Sequence, residues 1–332
     1  MGNVTLRQVR ENSFLGGIIL TYQCSIACKH CLFSCSPRRE PKVMETDDCV
    51  EYLREFHKLG RETHLAGGEP FLFWERLIEI ARKAGDESVP IHCVETNGFW
   101  CVSDEITERR LGALKEAGVL GLKVSADPYH QAFVPAKNLV RAARIGLEIF
   151  GQDNVDVGGY SPDPEYLEGL AGISAEEDKL RAYVRNRPPR MTGTSFRQLA
   201  KYLDPVPLDQ MDLERPWGNL ADPSNTCERG WDLTLEVHVD PYDNIQTNCG
   251  VILGNAKLRP LSEVVAGNVT ASPNPVIDAL ISRGVSGLLE VAKSKGYSPK
   301  DSYPQKCFLC CEARQYLRRF YPDTLGPDEV YF

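Results

Sequence analysis

Residues 16–35 read G-G-I-I-L-T-Y-Q-C-S-I-A-C-K-H-C-L-F-S-C. An apolar run with strand character, Gly16–Tyr22, empties into a polar loop that carries Cys24, Cys28, Cys31 and Cys35. Working outward, strands are expected at Thr63–Ala66, Ile91–Glu95, Leu122–Ser125 and Val155–Val157. Helices are expected over about 46–59, opening at a Thr46 cap, and over about 73–84, 104–117 and 136–150. This strand–helix alternation predicts a parallel sheet with right-handed crossovers. Functional residues in such sheets gather where strands run out into loops at their C-terminal ends. Past about residue 160 the rhythm breaks. A charged helical stretch over about 174–186 leads through Arg187-Pro188-Pro189 to a Pro/Asp-rich passage, 204–223, with the composition of a linker. Trp231–Val239 then alternates as a strand, Pro241–Asn244 supplies a turn, and Ile245–Thr247 begins the return of a hairpin flanked by Cys227 and Cys249.

Composition narrows the functional classes. A chain of 332 residues that is 42% hydrophobic and 25% charged buries a substantial core. A net charge of −8 with no dense Lys/Arg run lacks the footprint of a phosphate-neutralising surface, so no nucleic-acid partner is expected. No apolar stretch approaches the ~20 residues of a membrane span, and the first fifteen residues lack a signal-peptide pattern. Met1-Gly2 is not a myristoylation start, because Leu6 stands where Ser or Thr is needed. A cytoplasmic chain with no membrane partner is the expectation. In that compartment thiols stay reduced, so the twelve cysteines read as thiols, metal ligands or catalytic groups rather than disulfides.

The Cys24-x3-Cys28-x2-Cys31 spacing lets three thiolates converge on one metal centre from a single loop. Closed zinc sites and electron-transfer clusters use four protein ligands; three leave one metal position open to a substrate. Cys28-x2-Cys31-x3-Cys35-Ser36-Pro37 also approaches ferredoxin-type spacing, so a cluster closed by Cys35 is the alternative, and zinc is another.

The triad after strand one, with His30 before its third cysteine, and Gly67-Gly68-Glu69-Pro70 after strand two resemble the radical SAM superfamily, in which both motifs occur in this order. The likeness runs on through Glu95-Thr96-Asn97-Gly98 and Ser125-Ala126-Asp127 and covers roughly residues 16–160. It implies an α/β fold, a partial (β/α)6 TIM-type barrel. It further implies a 4Fe-4S cluster on Cys24, Cys28 and Cys31 whose open iron chelates S-adenosylmethionine, with reductive cleavage to a 5′-deoxyadenosyl radical that takes a hydrogen atom from the substrate. By the same resemblance, Gly67, Gly68, Glu69 and Pro70 would cradle the methionine moiety, with Glu69 on its ammonium. His30 would lie against adenine, Ser125 and Asp127 would face the ribose, and Thr96 and Asn97 would be further cofactor contacts. Ser, Asp, Thr and Asn at strand ends are equally explained by capping and turn chemistry. Arg141 and Arg144 either reach the cofactor carboxylate or line a solvated helix face, and Tyr129-His130-Gln131 reads as a polar loop.

Cys227, Cys249 and Cys307-x2-Cys310, with Val239–Ile245 and Gly254-Asn255 around the hairpin, resemble the SPASM and twitch extensions of that superfamily. These four cysteines are then ligands of one auxiliary 4Fe-4S cluster; a zinc site is the alternative. One of five C-terminal cysteines is spare, Cys311 or Cys227. It is either a packing residue or a thiol that returns a hydrogen atom to a substrate radical. Cys35, Cys49, Cys93 and Cys101 are given no role, and Trp217 and Trp231 read as packing. The implied organisation is an N-terminal extension (1–15), a radical SAM partial barrel (16–205) and a small cysteine-rich β-hairpin/α extension (206–332). The extension points to a peptide-modifying enzyme (crosslinking, epimerisation or oxidation) fed by an external electron donor such as flavodoxin or ferredoxin. Any leader-recognition domain is expected to be a separate protein, or else the substrate binds directly. A radical SAM enzyme for a small molecule, and a non-catalytic iron–sulfur or zinc module, are the other readings.

Overall fold

The computed structural model describes residues 15–214, 237–265 and 274–331. The chain divides into two compact units: Met1–Cys28, Cys35–Leu180 and Val239–Tyr242 in the first, Lys29–Ser34, Arg181–His238 and Asp243–Phe332 in the second.

The first unit is built on five strands: β1 (Leu15–Ile19), β2 (Glu62–Ala66), β3 (Cys93–Thr96), β4 (Leu122–Val124) and β5 (Val155–Asp156). All pair in parallel, in the order β5-β4-β3-β2-β1. Parallel strands are covered on both faces, which is why they are legible as short apolar runs. The crossovers carry α1 (Thr46–Lys58), α2 (Trp74–Asp86), α3 (Asp104–Glu116), α4 (Pro128–Gln131) and α5 (Ala136–Phe150), followed by α6 (Pro164–Gly169). Each long helix turns an apolar stripe to the sheet. On α1 the stripe is Cys49, Val50, Leu53 and Phe56, spaced i, i+1, i+4, i+7. Small residues set the closeness of the two layers. A Cβ on Gly16 would stand 2.5 Å from the Phe56 ring, and one on Gly146 of α5 would stand 2.9 Å from Leu122.

The α/β class and the parallel sheet are as expected, with differences in detail. Five parallel strands are present among the described residues rather than six, and they do not close a barrel; after β5 the Pro-, Gly- and Asp-rich chain turns into the short helix α6 instead of another full crossover. Thr46 is the first residue of α1 and Glu45 occupies the cap position. The expected loop at Tyr129-His130-Gln131 is the helix α4, opened by Asp127-Pro128. Asp127 caps the Tyr129 and His130 amides, and Pro128 sits at the first helical position.

Helix α7 (Glu177–Asn186) runs across the division between the units. The second unit continues with α8 (Gly193–Gln198), β6 (Val206–Pro207), β7 (Val237–Val239), β8 (Asn244–Thr247), β9 (Ile252–Asn255), α9 (Leu261–Val265), α10 (Pro275–Ser294), β10 (Ser302–Tyr303), α11 (Lys306–Leu317) and α12 (Asp328–Tyr331). Strands β7, β8 and β9 follow one another in the sheet, β8 and β9 being antiparallel with Asn244 opposite Asn255; β6 and β10 form a separate antiparallel pair. The expected hairpin is therefore present and gains a third strand. Its turn is fixed by Asp240, whose carboxylate accepts from the Tyr242 amide at 2.8 Å, and by Asp243 at φ +63°. Of the strand expected over 231–239, residues 237–239 are described. Cys227, Trp217 and Trp231 lie outside the described residues.

Candidate functional site

At the end of β2 the chain turns through Gly67 and Gly68 directly against the segment that leads into the cysteine loop. Gly67 has φ +133°, and a Cβ there would stand 2.6 Å from the Thr21 carbonyl oxygen. Gly68 donates its amide to that oxygen at 2.7 Å, and a Cβ on Gly68 would fall 1.9 Å from the Gln23 carbonyl oxygen. No side chain fits at Gly68 while these backbones hold their places. The next residue, Glu69, is fully buried. Its Oε1 accepts from the Thr96 hydroxyl (2.9 Å) and the Phe71 amide (3.2 Å), and its Oε2 accepts from the Asn97 amide (2.7 Å). Thr96 Oγ1 itself accepts from Trp100 Nε1 (2.9 Å) and from the Gly98 amide (3.1 Å), so its single hydrogen is committed to Glu69. The Asn97 side-chain nitrogen lies 3.5 Å from Cys24 Sγ and 3.1 Å from Ser25 Oγ. Burial pushes the Glu69 carboxyl up to about 7, against the pull of these hydrogen bonds and of the Arg110 charge.

Four predicted residues thus meet: Glu69, Thr96, Asn97 and Cys24, with Gly67 and Gly68 as the floor and buried Pro70 opening the 3₁₀ turn Pro70–Phe73. Cys28 and Cys35 are buried and Cys31 is half-buried. In the second unit, the Cys31 carbonyl accepts from the Thr194 amide at 2.9 Å. His30 is half-buried in the same stretch. Ser125 donates its amide to the Thr96 carbonyl at 2.8 Å. Asp127 is occupied by its own helix, capping α4 and holding His130 Nδ1 at 2.8 Å. Arg141 and Arg144 bind Asp104 at 2.6 Å each, and Arg141 also donates to the Cys101 carbonyl; the pair ties α5 to the start of α3.

A polar row was not anticipated. The strand register places His64 (β2) on the same face as Cys93 and Glu95 (β3), Glu95 opposite Lys123 (β4), and Lys123 opposite Asp156 (β5). Lys123 Nζ donates to Glu95 Oε1 at 2.7 Å, with His64 Nε2 3.8 Å from the same oxygen. This face lies opposite the helix-packed side marked by Leu122. The signal was present as single polar residues inside T-H-L-A, C-V-E-T and L-K-V, each at the alternate position of a strand. Trp100 also escaped notice. It stacks on Phe71 at 4.1 Å between ring centres while holding Thr96.

In the second unit, Cys307, Cys310, Cys311 and Arg314 fall on one stripe of α11, spaced i, i+3, i+4, i+7, and all four are buried. The Arg314 guanidinium Nη1 donates to the Cys249 carbonyl and to the Tyr331 hydroxyl (3.0 Å). Tyr331 Oη donates to the Gly250 carbonyl at 2.7 Å. The turn that carries half-buried Cys249 is thereby strapped to the cysteine-bearing helix. Burial pushes the Cys311 thiol up to about 12, with the neighbouring Cys307 and Cys310 thiols adding to the shift.

The residues fit the groups that the motifs imply. The first unit offers a glycine floor that a Cβ would fill and a buried carboxylate whose partner Asn97 stands beside Cys24. The second offers a buried guanidinium on which the Cys249, Cys310 and Cys311 thiols act.

Residues 18–141 match the family model described as the Radical SAM superfamily. The chain is 31% identical over 135 residues, 38% of its length, to YydG of Bacillus subtilis, whose name assigns it provisionally to peptide biosynthesis. It is 38% identical over 66 residues, 19% of its length, to the mycofactocin maturase MftC of Mycolicibacterium smegmatis. These matches span 41% of YydG and 16% of MftC, well under the full length of either. Among solved structures, BtrN in complex with AdoMet and 2-DOIA is 15% identical, with a TM-score of 0.40 over 85% of this chain and 89% of that one. Streptococcus suis SuiB bound to the precursor peptide SuiA is 10% identical, with a TM-score of 0.36 over 84% and 72%. With its cysteine triad and its buried Glu69, the chain is similar to the radical SAM superfamily over residues 18–141, a match that covers less than half of its length.

Proposed function

We propose that the chain is an enzyme that cleaves S-adenosylmethionine reductively and modifies a ribosomally made peptide. The observation that carries this reading is the buried Glu69, hydrogen-bonded to Thr96 and Asn97 beside Cys24. A 4Fe-4S cluster on Cys24, Cys28 and Cys31 would supply the electron that splits the bound cofactor into methionine and a 5′-deoxyadenosyl radical, which takes a hydrogen atom from the substrate. The protein's own residues do the positioning. Glu69 receives the cofactor's ammonium group in a dry site, where a charge-assisted hydrogen bond is strong. Gly67 and Gly68 let the backbone close on the methionine moiety. Asn97 steadies the loop at Cys24 and Ser25. Glu95 and Lys123, paired on the face away from the helices, orient polar groups of the substrate, and Ser125 and His30 contribute to nucleoside recognition.

A peptide substrate is favoured by the description of YydG as a peptide biosynthesis protein. In the second unit, Cys249, Cys307 and Cys310, with Cys227, hold an auxiliary 4Fe-4S cluster. Cys311, left over once four ligands are assigned, is the thiol suited to return a hydrogen atom to a substrate radical. An external low-potential donor of the flavodoxin or ferredoxin kind supplies electrons, and a reducing, cytoplasmic setting keeps these thiols available. Among the described residues no helix is long and apolar enough to cross a membrane. The test is anaerobic reconstitution with iron and sulfide, followed by incubation with dithionite, S-adenosylmethionine and deuterated candidate peptides. Deuterium in the 5′-deoxyadenosine is the expected result; a fully loaded protein that releases no 5′-deoxyadenosine overturns the reading.

A further inference from the structure

Arg314 is fully buried, and its surroundings are unusual for a buried cation. Nη1 is used, on the Cys249 carbonyl and on Tyr331, but Nε and Nη2 are buried with no hydrogen-bond partner among the described residues. The ionisable groups that act on it most are the Tyr331 phenol and the Cys249, Cys310 and Cys311 thiols, none of them a carboxylate. A guanidinium sealed from water without an anion costs several kcal/mol, and two idle donors add to that cost. Helix geometry makes the placement specific. Arg314 stands one turn beyond Cys310 and Cys311 on the stripe that also holds Cys307.

We propose that Arg314 is the built-in counter-ion of the metal–thiolate centre that includes Cys249, Cys307 and Cys310, its free Nε and Nη2 donors binding cluster or thiolate sulfur and raising the reduction potential of the centre. The inference rests on the auxiliary-cluster reading and assigns the residue that sets the charge of that site. Four thiolates around a 4Fe-4S core leave a net negative charge that grows on reduction. A fixed positive charge with hydrogen bonds to sulfur favours the reduced state. Arg314 acts through the cluster and is a positioning residue, not a catalytic one.

The test uses the full-length chain with Cys24, Cys28 and Cys31 changed to Ala, so that only the second centre is loaded. Arg314→Met is expected to lower the potential enough to change the oxidised-to-reduced ratio at fixed potential about tenfold, about 59 mV for one electron. It should also shorten the half-time of iron loss to a chelator about tenfold. The iron-free Arg314→Met protein, relieved of a stranded charge, should melt at a higher temperature than its iron-free parent. Arg314→Lys, which keeps the charge, should recover most of the potential. A purely structural arginine would give a different pattern. Its loss would lower the melting temperature of the iron-free and iron-loaded forms alike, or prevent folding of both, and either result overturns the proposal. So does an unchanged potential in an iron-loaded Met variant. If the Arg314-containing parent takes up no iron, the auxiliary-cluster reading itself fails and this inference falls with it; uptake with an arginine-independent potential removes only the inference.

Discussion

Glu69 and Arg314 are both fully buried charges, one in each unit, and they are solvated in opposite ways. Glu69 has three donors in place, and its carboxyl is still pushed up to about 7 by burial. Arg314 has two donors without a partner among the described residues. A buried charge therefore announces the sign of the group it receives, and the degree of hydrogen bonding tells how far the protein has prepared the place beforehand.

The strongest way to break this comparison is to empty the first site. Cys24, Cys28 and Cys31 changed together to Ala should abolish 5′-deoxyadenosine formation while leaving about four iron atoms per chain in the second centre; retained cleavage, measured by chromatography, would contradict the assignment. Next in size is Gly68→Ala. With the Gln23 oxygen 1.9 Å from the new methyl group, the backbone must move, and affinity for S-adenosylmethionine should fall more than tenfold. Gly112→Ala on α3, where nothing lies within 4 Å, should leave affinity unchanged and add about 1 kcal/mol of stability in thermal unfolding.

Glu69 gives a pH signature. Its carboxyl titrates higher folded than unfolded, so its contribution to stability is complete below about 4.5 and is lost as pH rises through about 7. The loss is about 3 kcal/mol for the cofactor-free protein. Cofactor affinity should run the other way, rising between pH 6 and 8 as the carboxylate forms. Both slopes should vanish in Glu69→Gln, checked by calorimetry across that range; a slope that survives places the titrating group elsewhere. The smallest effect is expected from Trp100→Phe, which removes one donor to Thr96 but keeps the stack on Phe71. It should cost about 1 kcal/mol in stability with little change in affinity.

The parallel sheet and its crossovers were legible because each strand is an apolar run between turn residues and each long helix carries one apolar stripe. Boundaries moved by a residue or two, as at Thr46, where an expected cap proved to be the first helical residue. The Gly67–Glu69 turn and the Thr96-Asn97 pair were legible as motif and as place. That Thr96 and Asn97 fix Glu69 was not, because the two bonds join residues 27 and 28 positions apart. The polar row His64–Glu95–Lys123–Asp156 depends on register between strands, which no local pattern states. In the second unit the cysteines were counted but their helix was not read. The i, i+3, i+4, i+7 spacing through Cys307, Cys310, Cys311 and Arg314 was visible in the sequence all along. The idle guanidinium donors were not, since only the fold shows what a side chain lacks.

The short helix α12 props the turn at Gly250, where a Cβ would stand 2.6 Å from Val330, and Tyr331 bonds both that turn and Arg314. Residues some eighty positions downstream of Cys249 thus hold it in position. Losing the Val330 and Tyr331 side chains would therefore loosen the Cys249 turn from a distance in sequence.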